Sequence, residues 1–205
     1  MSAAAVEHPC HDGPEPSLLE TADLITDRLP GLRVEILGGE ITVTPPPDGP
    51  HGESLTDLVL AFASAGLHST ESRVIQAIGL WLPTGAEDFA IPDLAVVDAD
   101  YRDHLVEHNC YDPAVFRLVL EVTSSNYRTD LQTKVGTYAA AGIPVYVIVD
   151  RRKQRVHVLT GPQDQGYAQH AVYAPGAMFP VPAPVSPDGN ERELSVDAAL
   201  LLSRD

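Results

Sequence analysis

The sequence predicts a mixed α/β domain, a central β-sheet flanked by helices, with a helix and a β-hairpin leading into it. Three observations carry this. Residues 116–123 are a nearly unbroken run of β-branched and leucine side chains, the pattern of a strand buried on both faces. A helix-length segment, 127–141, follows, stopped by Gly142 and Pro144, and an apolar run, 145–149, comes directly after. That order is one right-handed strand–helix–strand crossover, so its two strands should be parallel. Upstream, a helical period gives way to two short strands joined by Gly38-Gly39, the signature of a hairpin.

Each element follows from local chemistry. Residues 1–15 are rich in Ala, Pro, His and acid and read as a disordered tail, so residues 16–205 form the single domain. His8, Cys10 and His11 lack a fourth metal ligand nearby and read as part of that solvated tail. Ser17 and Glu20 make a capping box, and Leu18, Leu19, Ala22, Ile25 and Leu29 recur at helical spacing until Pro30-Gly31. Strands are expected at 33–37 and 40–44. Pro45-Pro46-Pro47 and Gly49-Pro50 make a stiff loop, and a second helix is expected from His51-Gly52 to about Ala65. Residues 73–82 and 91–97 read as strands, and 98–114 as a long polar loop. After the crossover, 155–159 and 167–173 read as strands, 175–187 as a Pro-rich connection, and a short last helix is expected with Ser195 as its cap.

Composition narrows the function. The 205 residues carry 13 Lys plus Arg against 29 Asp plus Glu, a formal charge of −16, and 44% are apolar. Such an acidic chain does not coat nucleic acid or anionic membrane over its whole surface. The charge is uneven, however. Residues 115–155 hold seven basic and three acidic side chains, a local charge of +4 that leaves −20 on the rest. The basic turn Arg151–Arg155 is therefore a candidate contact to a nucleic-acid backbone. No apolar run approaches the roughly 20 residues a membrane helix needs. The N-terminus lacks the pattern of a secretory signal, and two cysteines, Cys10 and Cys110, make no disulfide framework. A cytoplasmic location is the expectation.

Three residues stand out chemically. Glu121 ends the apolar run 116–122, where an unpaired buried carboxylate would cost several kcal/mol. Either it serves chemistry, or it reaches solvent or pairs with Arg117 or Arg128. Asp93 interrupts a second apolar strand just after Pro92, which marks a strand start or edge; a simple strand-entry turn is the alternative. Lys134 is one of only two lysines and lies on the helix after Glu121, either paired with Asp130 at the surface or bordering the packed face. Two acids on neighbouring strands and one lysine suit phosphodiester hydrolysis with Mg2+ or Mn2+.

In order, Ile91-Pro92-Asp93, Leu120-Glu121-Val122-Thr123-Ser124, Asp130, Lys134 and the run Tyr138 to Asp150 resemble the Uma-type family. So does the early segment Gly39-Glu40-Ile41 with Pro46 and His51. This is a large bacterial group assigned as endonucleases with the PD-(D/E)XK, restriction-endonuclease-like fold. The similarity spans roughly residues 17 to 180. It implies that Asp93 and Glu121 bind the metal and that the catalytic set is Asp93, Glu121, Lys134 and His51. Glu40 matches a family position near the cleft, either as a further metal ligand or as a plain hairpin residue, and Glu35 is a weaker candidate. In the common motif a lysine stands two residues after the Glu; here that position is Thr123. The family's pattern has a lysine on the following helix, which Lys134 fits, with Gln132 as the other occupant of that corner.

Other signals are thin. Ser124, Ser125 and Asn126 read as helix caps, and there is no nucleophile elbow, phosphate-binding loop, zincin helix or paired CxxC. His104 and His108 lie in a polar loop and read as a solvated turn. The expectation is a metal-dependent endonuclease acting on DNA, working as a homodimer because two strands need two sites. Two alternatives stay open. One is a degenerate nuclease-fold module that binds nucleic acid or a protein partner, which Thr123 motivates. The other is a metal-dependent hydrolase of another phosphate ester.

Overall fold

A computed structural model describes residues 16–123, 132–164, 166–182 and 193–202. The expected tail with His8, Cys10 and His11 lies outside the described residues. So do Ser124–Asn126, Arg128, Asp130 and the first part of the expected 127–141 helix.

The chain opens with α1 (Leu18–Arg28), whose capping box is formed as expected: Glu20 N donates to Ser17 Oγ at 3.2 Å, and Ser17 N donates to Glu20 Oε2 at 2.8 Å. The hairpin strands β1 (Arg33–Leu37) and β2 (Glu40–Thr44) match the sequence reading. Gly38 and Gly39 have φ of +61° and +76°, the left-handed values a two-residue hairpin turn requires. Their N–H groups are held by the two oxygens of Asp88.

Helix α2 (Gly49–Ser64) starts earlier than expected. Pro50 falls in its first turn, where the missing N–H removes no helical bond. Asp48 is the cap, its side chain accepting from His51 N at 2.8 Å.

The strands then divide. The expected strand 73–82 is two, β3 (Ser72–Gln76) and β4 (Gly79–Trp81), separated at Ala77, which has φ of +51°. The expected strand 91–97 is preceded by β5 (Phe89–Ala90) and begins only at β6 (Leu94–Asp98). Pro92 lies in the interruption, where its lack of a ladder donor does no harm. Each break passes the chain from one sheet to another, so the single central sheet expected from sequence is in fact two.

The first sheet runs β2-β1-β5-β4-β8-β7 and the second β12-β11-β10-β9-β6-β3. The polar region 98–114 is not a plain loop: it holds 3-10 turns at Tyr101–His104 and Pro113–Val115 and the short strands β7 (Leu105–Glu107) and β8 (Cys110–Tyr111).

The crossover is as predicted. Strand β9 (Phe116–Val122), helix α3 (Lys134–Ala140) and β10 (Val145–Asp150) follow in order, and β9 pairs parallel with β10. Gly142, with φ of +72°, ends the helix. Strands β11 (Arg155–Gln163) and β12 (Gly166–Tyr173) extend the sheet antiparallel.

The C-terminal end departs from expectation. The Pro-rich stretch contains β13 (Met178–Pro182), which pairs antiparallel with β14 (Glu193–Asp197). Ser195 lies within β14 rather than capping a helix, opposite Pro180. The helical turn is the 3-10 segment Ala198–Leu200, capped by Asp197 Oδ1 accepting from Ala199 N. Pairing of β13 with β14 places Phe179, Val181 and Val196 in the core, which outweighs the local cap signal.

The alternation along β9 divides the core. Leu118, Leu120 and Val122 pack with Leu55, Leu58 and Phe62 of α2. Val119 packs with Tyr138 of α3, Tyr146 and Ile148 on the other side, where Phe116 joins it because the β6–β9 register shifts between Val96 and Val97. Glu121 has the same parity as Val119, so it emerges on the α3 side. No described helix is long and apolar enough to cross a membrane.

Candidate active site

The sheet junction gathers the charged residues. β1 supplies Arg33 and Glu35, the start of α2 supplies His51, the β5–β6 interruption supplies Asp93, β9 supplies Glu121, and α3 supplies Lys134 and Tyr138. Leu94 faces Leu120 in the antiparallel β6–β9 pair, so one step further Asp93 stands across from Glu121. Glu35, His51, Asp93, Glu121 and Lys134 are all buried, none more than 4% exposed.

Two subclusters result. In the first, Asp93 Oδ1 accepts from Arg33 Nη1 at 2.7 Å, and Asp93 Oδ2 accepts from Val122 N at 2.8 Å. His51 Nε2 lies 3.2 Å from Asp93 Oδ2, an ion-pair distance without hydrogen-bond alignment. Neither His51 nitrogen has a hydrogen-bond partner among the described residues. Burial pushes the Asp93 carboxyl upward, but His51, Arg33 and the Val122 N–H outweigh it and hold the pKa at about 2.

In the second, Lys134 Nζ donates to Glu35 Oε1 at 2.9 Å and to Glu121 Oε1 at 2.8 Å. Tyr138 Oη donates to the same Glu121 oxygen at 2.7 Å, and Ile91 N donates to Glu35 Oε1 at 2.7 Å. Burial, with the Glu121 and Glu35 carboxylates beside it, drives the Tyr138 hydroxyl well above its usual pKa, so it stays a donor.

The structure therefore brings Asp93, Glu121, Lys134 and His51 together. Glu121 neither reaches solvent nor pairs with Arg117, whose guanidinium is bonded to Asp98. Gln132 is exposed, and Lys134 fills the corner. Thr123 is a joint between strands: its Oγ1 donates to Val149 O at 3.1 Å and accepts from Arg151 N at 3.2 Å.

One placement corrects the sequence reading. Glu40 is exposed at the hairpin turn, and the carboxylate that the hairpin sends into the cluster is Glu35. The reason is position along the hairpin, not face: Glu40 stands opposite Leu37 and so shares the face of Glu35, but it adjoins the solvent-facing turn, whereas Glu35 sits mid-strand between β2 and β5. Arg33 and Tyr138 were not anticipated. The signal for Glu35 was present, an acid inside the apolar strand Val34–Leu37, the same signal that marked Asp93 and Glu121. His104 and His108 lie beside Asp100 and Asp23 respectively, away from this cluster.

The donor set suits a hard divalent cation. Among the described residues, three carboxylates, Glu35, Asp93 and Glu121, meet here with Arg33, Lys134 and His51. Among the described residues no group of three or more His, Cys, Asp or Glu is arranged to hold an ion alone. Mg2+ does not need one, since it commonly takes one or two carboxylates and completes its shell with water and substrate phosphate.

Comparison with known proteins gives a consistent picture. Residues 20–194 match the model of a family described as "Uma2: Putative restriction endonuclease". Among solved structures, the chain is similar to one described as "a putative nuclease belonging to DUF820" from Anabaena variabilis ATCC 29413. The TM-score is 0.63 at 19% identity, over 91% of this chain and 97% of that one, a likeness of fold. No curated protein matches.

Proposed function

The chain belongs to the Uma2 family, and from that premise we propose that it is a divalent-metal-dependent endonuclease that hydrolyses phosphodiester bonds of DNA. The observation that carries this reading is the buried Lys134 Nζ, 2.8 Å from Glu121, the residue that stands across from Asp93 in the β6–β9 pair. A structural core has little reason to bury three carboxylates at one sheet junction, whereas phosphoryl transfer uses that charge.

In this reading Asp93 and Glu121 hold the ion, Mg2+ or Mn2+, with Glu35 beside them in the role expected of Glu40. When bound, the ion polarises the phosphoryl oxygens and makes water a better nucleophile at neutral pH. The protein's own groups do the rest. The Lys134 ammonium orients the attacking water and stabilises negative charge as it grows on phosphorus. Tyr138 keeps the Glu121 carboxylate in place by its hydroxyl. His51, buried with Nε2 3.2 Å from Asp93 and no aligned hydrogen bond among the described residues, is placed to contact the phosphate or carry a proton. A water oxygen bonds to phosphorus as the ester bond breaks, and the departing oxygen takes up a proton.

Thr123 in place of the usual motif lysine favoured a non-catalytic module. The position of Lys134 favours catalysis instead, because a long side chain from α3 delivers the amine to the same carboxylate. Cutting both strands needs two sites, so the reading includes a homodimer.

The test is incubation of the purified protein with supercoiled plasmid and Mg2+ or Mn2+, against EDTA, with RNA and a simple phosphomonoester as parallel substrates. Nicked or linear DNA only with metal, and none with Asp93→Asn or Glu121→Gln, is the expected result. No DNA cleavage with either ion, or cleavage that survives both substitutions, overturns it.

A further inference from the structure

Of the charged groups in the cluster, Arg33 alone reaches solvent appreciably. Its side chain is 21% exposed, whereas the side chains of Glu35, His51, Asp93, Glu121 and Lys134 are 3% to 5% exposed. An anion approaching from outside meets Arg33 first. The guanidinium is also only partly used. Nη1 bonds Asp93 Oδ1, and its other N–H donors make no hydrogen bond to any described residue. A guanidinium presents five donors in a planar fork matched to phosphate, and its charge persists at any relevant pH.

Lys134 cannot fill this role, because it is buried and committed to Glu35 and Glu121. Asp93 meanwhile fixes the Arg33 fork in place. Its other oxygen is anchored by the Val122 N–H in the sheet. Orientation is therefore set before substrate arrives, which lowers the entropy lost on binding.

We propose that Arg33 is a substrate-contacting residue: it binds a non-bridging oxygen of the DNA phosphodiester with its outward N–H donors while Nη1 stays on Asp93. This rests on the nuclease reading above. It adds to that reading the residue that seats the phosphate beside the carboxylates. The Glu35, Asp93 and Glu121 carboxylates repel an anion, and the partly exposed Arg33 guanidinium offsets that repulsion.

The test measures binding of a fluorescent DNA duplex to the full chain by anisotropy across a salt series, with Ca2+ replacing Mg2+, alongside Mg2+-dependent cleavage. For Arg33→Gln, affinity should fall about tenfold or more. The slope of log K against log salt should also flatten by about 0.9, the loss of one phosphate contact. Arg33→Lys should keep the slope, since the charge remains, but bind more weakly than wild type, since the fork is lost. If Arg33→Gln keeps wild-type affinity and slope and loses only kcat, Arg33 merely positions Asp93 and the inference is overturned. If Arg33→Gln does not fold, Arg33→Lys decides: weaker binding supports the inference, wild-type affinity overturns it. A wild-type protein that neither binds nor cuts DNA overturns the nuclease reading and this inference together. One that does both, with an Arg33→Gln variant binding normally, overturns this inference alone.

Discussion

Lys134 and Glu121 meet at 2.8 Å, each 3% exposed in its side chain, joining α3 to the end of β9. The same ammonium also holds Glu35 from β1, so one cation ties together two sheets and a helix. Removing one partner of a buried ion pair leaves the other charge uncompensated, which costs about 3–5 kcal/mol. Lys134→Met should lower unfolding stability by that order in urea titrations, and abolish DNA cleavage. Adding Glu121→Gln to Lys134→Met should recover part of the loss. A double variant as unstable as the single one would show that packing, not charge, sets the penalty.

Asp93 gives a stability signal with a definite pH dependence. Its carboxyl titrates at about 2 in the folded chain against an ordinary 3.8. A depressed folded pKa contributes stability that is fully present above the unfolded pKa and disappears as pH falls through the folded one. At 1.36 kcal/mol per pKa unit, the contribution at neutral pH is about 2 kcal/mol. The stability gap between wild type and Asp93→Asn should be largest above about pH 5 and shrink between about pH 4 and 2. A gap constant over that range would contradict the assignment.

Tyr138 donates to the oxygen that also receives Lys134. Tyr138→Phe keeps the ring against Tyr146 and deletes only that hydroxyl. Hydrogen bonds to charged acceptors contribute about 1.5–3 kcal/mol, so a loss near the lower end is expected while Lys134 remains. Cleavage should fall with little change in DNA affinity, because Tyr138 is fully buried and its hydroxyl is bonded to Glu121. Wild-type kcat in a folded Tyr138→Phe protein would remove Tyr138 from the positioning role.

Thr123 separates motif from mechanism. Its hydroxyl bonds Val149 O, which also accepts from Thr123 N, and Arg151 N, so Thr123→Val takes the partner from the part-buried Arg151 N–H and should cost about 1 kcal/mol. At temperatures where the variant is folded, it should still cleave DNA, since the amine comes from Lys134. A folded Thr123→Val protein without activity would show that this position does more than join strands.

The basic turn offers a check independent of the buried cluster. Arg151 bonds both oxygens of Asp48, the cap of the helix that carries His51, and Arg152, Lys153 and Arg155 follow it. Replacing Arg152, Lys153 and Arg155 with Gln should weaken DNA binding at all sequences and flatten the salt slope, each lost contact contributing about 0.9. An unchanged slope would place the DNA elsewhere on the surface.

Elements whose cause is local are legible in the order of residues alone. The Ser17–Glu20 capping box, the Gly38-Gly39 hairpin and the Gly142 helix stop are set by backbone chemistry within a few residues, and all are present. The order of residues also marked Glu121 and Asp93, because a carboxylate inside an apolar run is conspicuous without knowledge of its neighbours. Tertiary structure decided what depends on partners far along the chain. The division into two sheets at Ala77 and at Ile91–Asp93 rests on pairing no period reveals. Glu35 rather than Glu40 entered the cluster because a place mid-strand between β2 and β5, away from the turn, decides burial. Arg33 contacts Asp93 across 60 residues and Lys134 reaches Glu35 across 99. A buried carboxylate requires a counter-charge, and the sequence states that requirement. Only the packed sheets choose which cation comes within reach, because charges this far apart in sequence meet through folding alone.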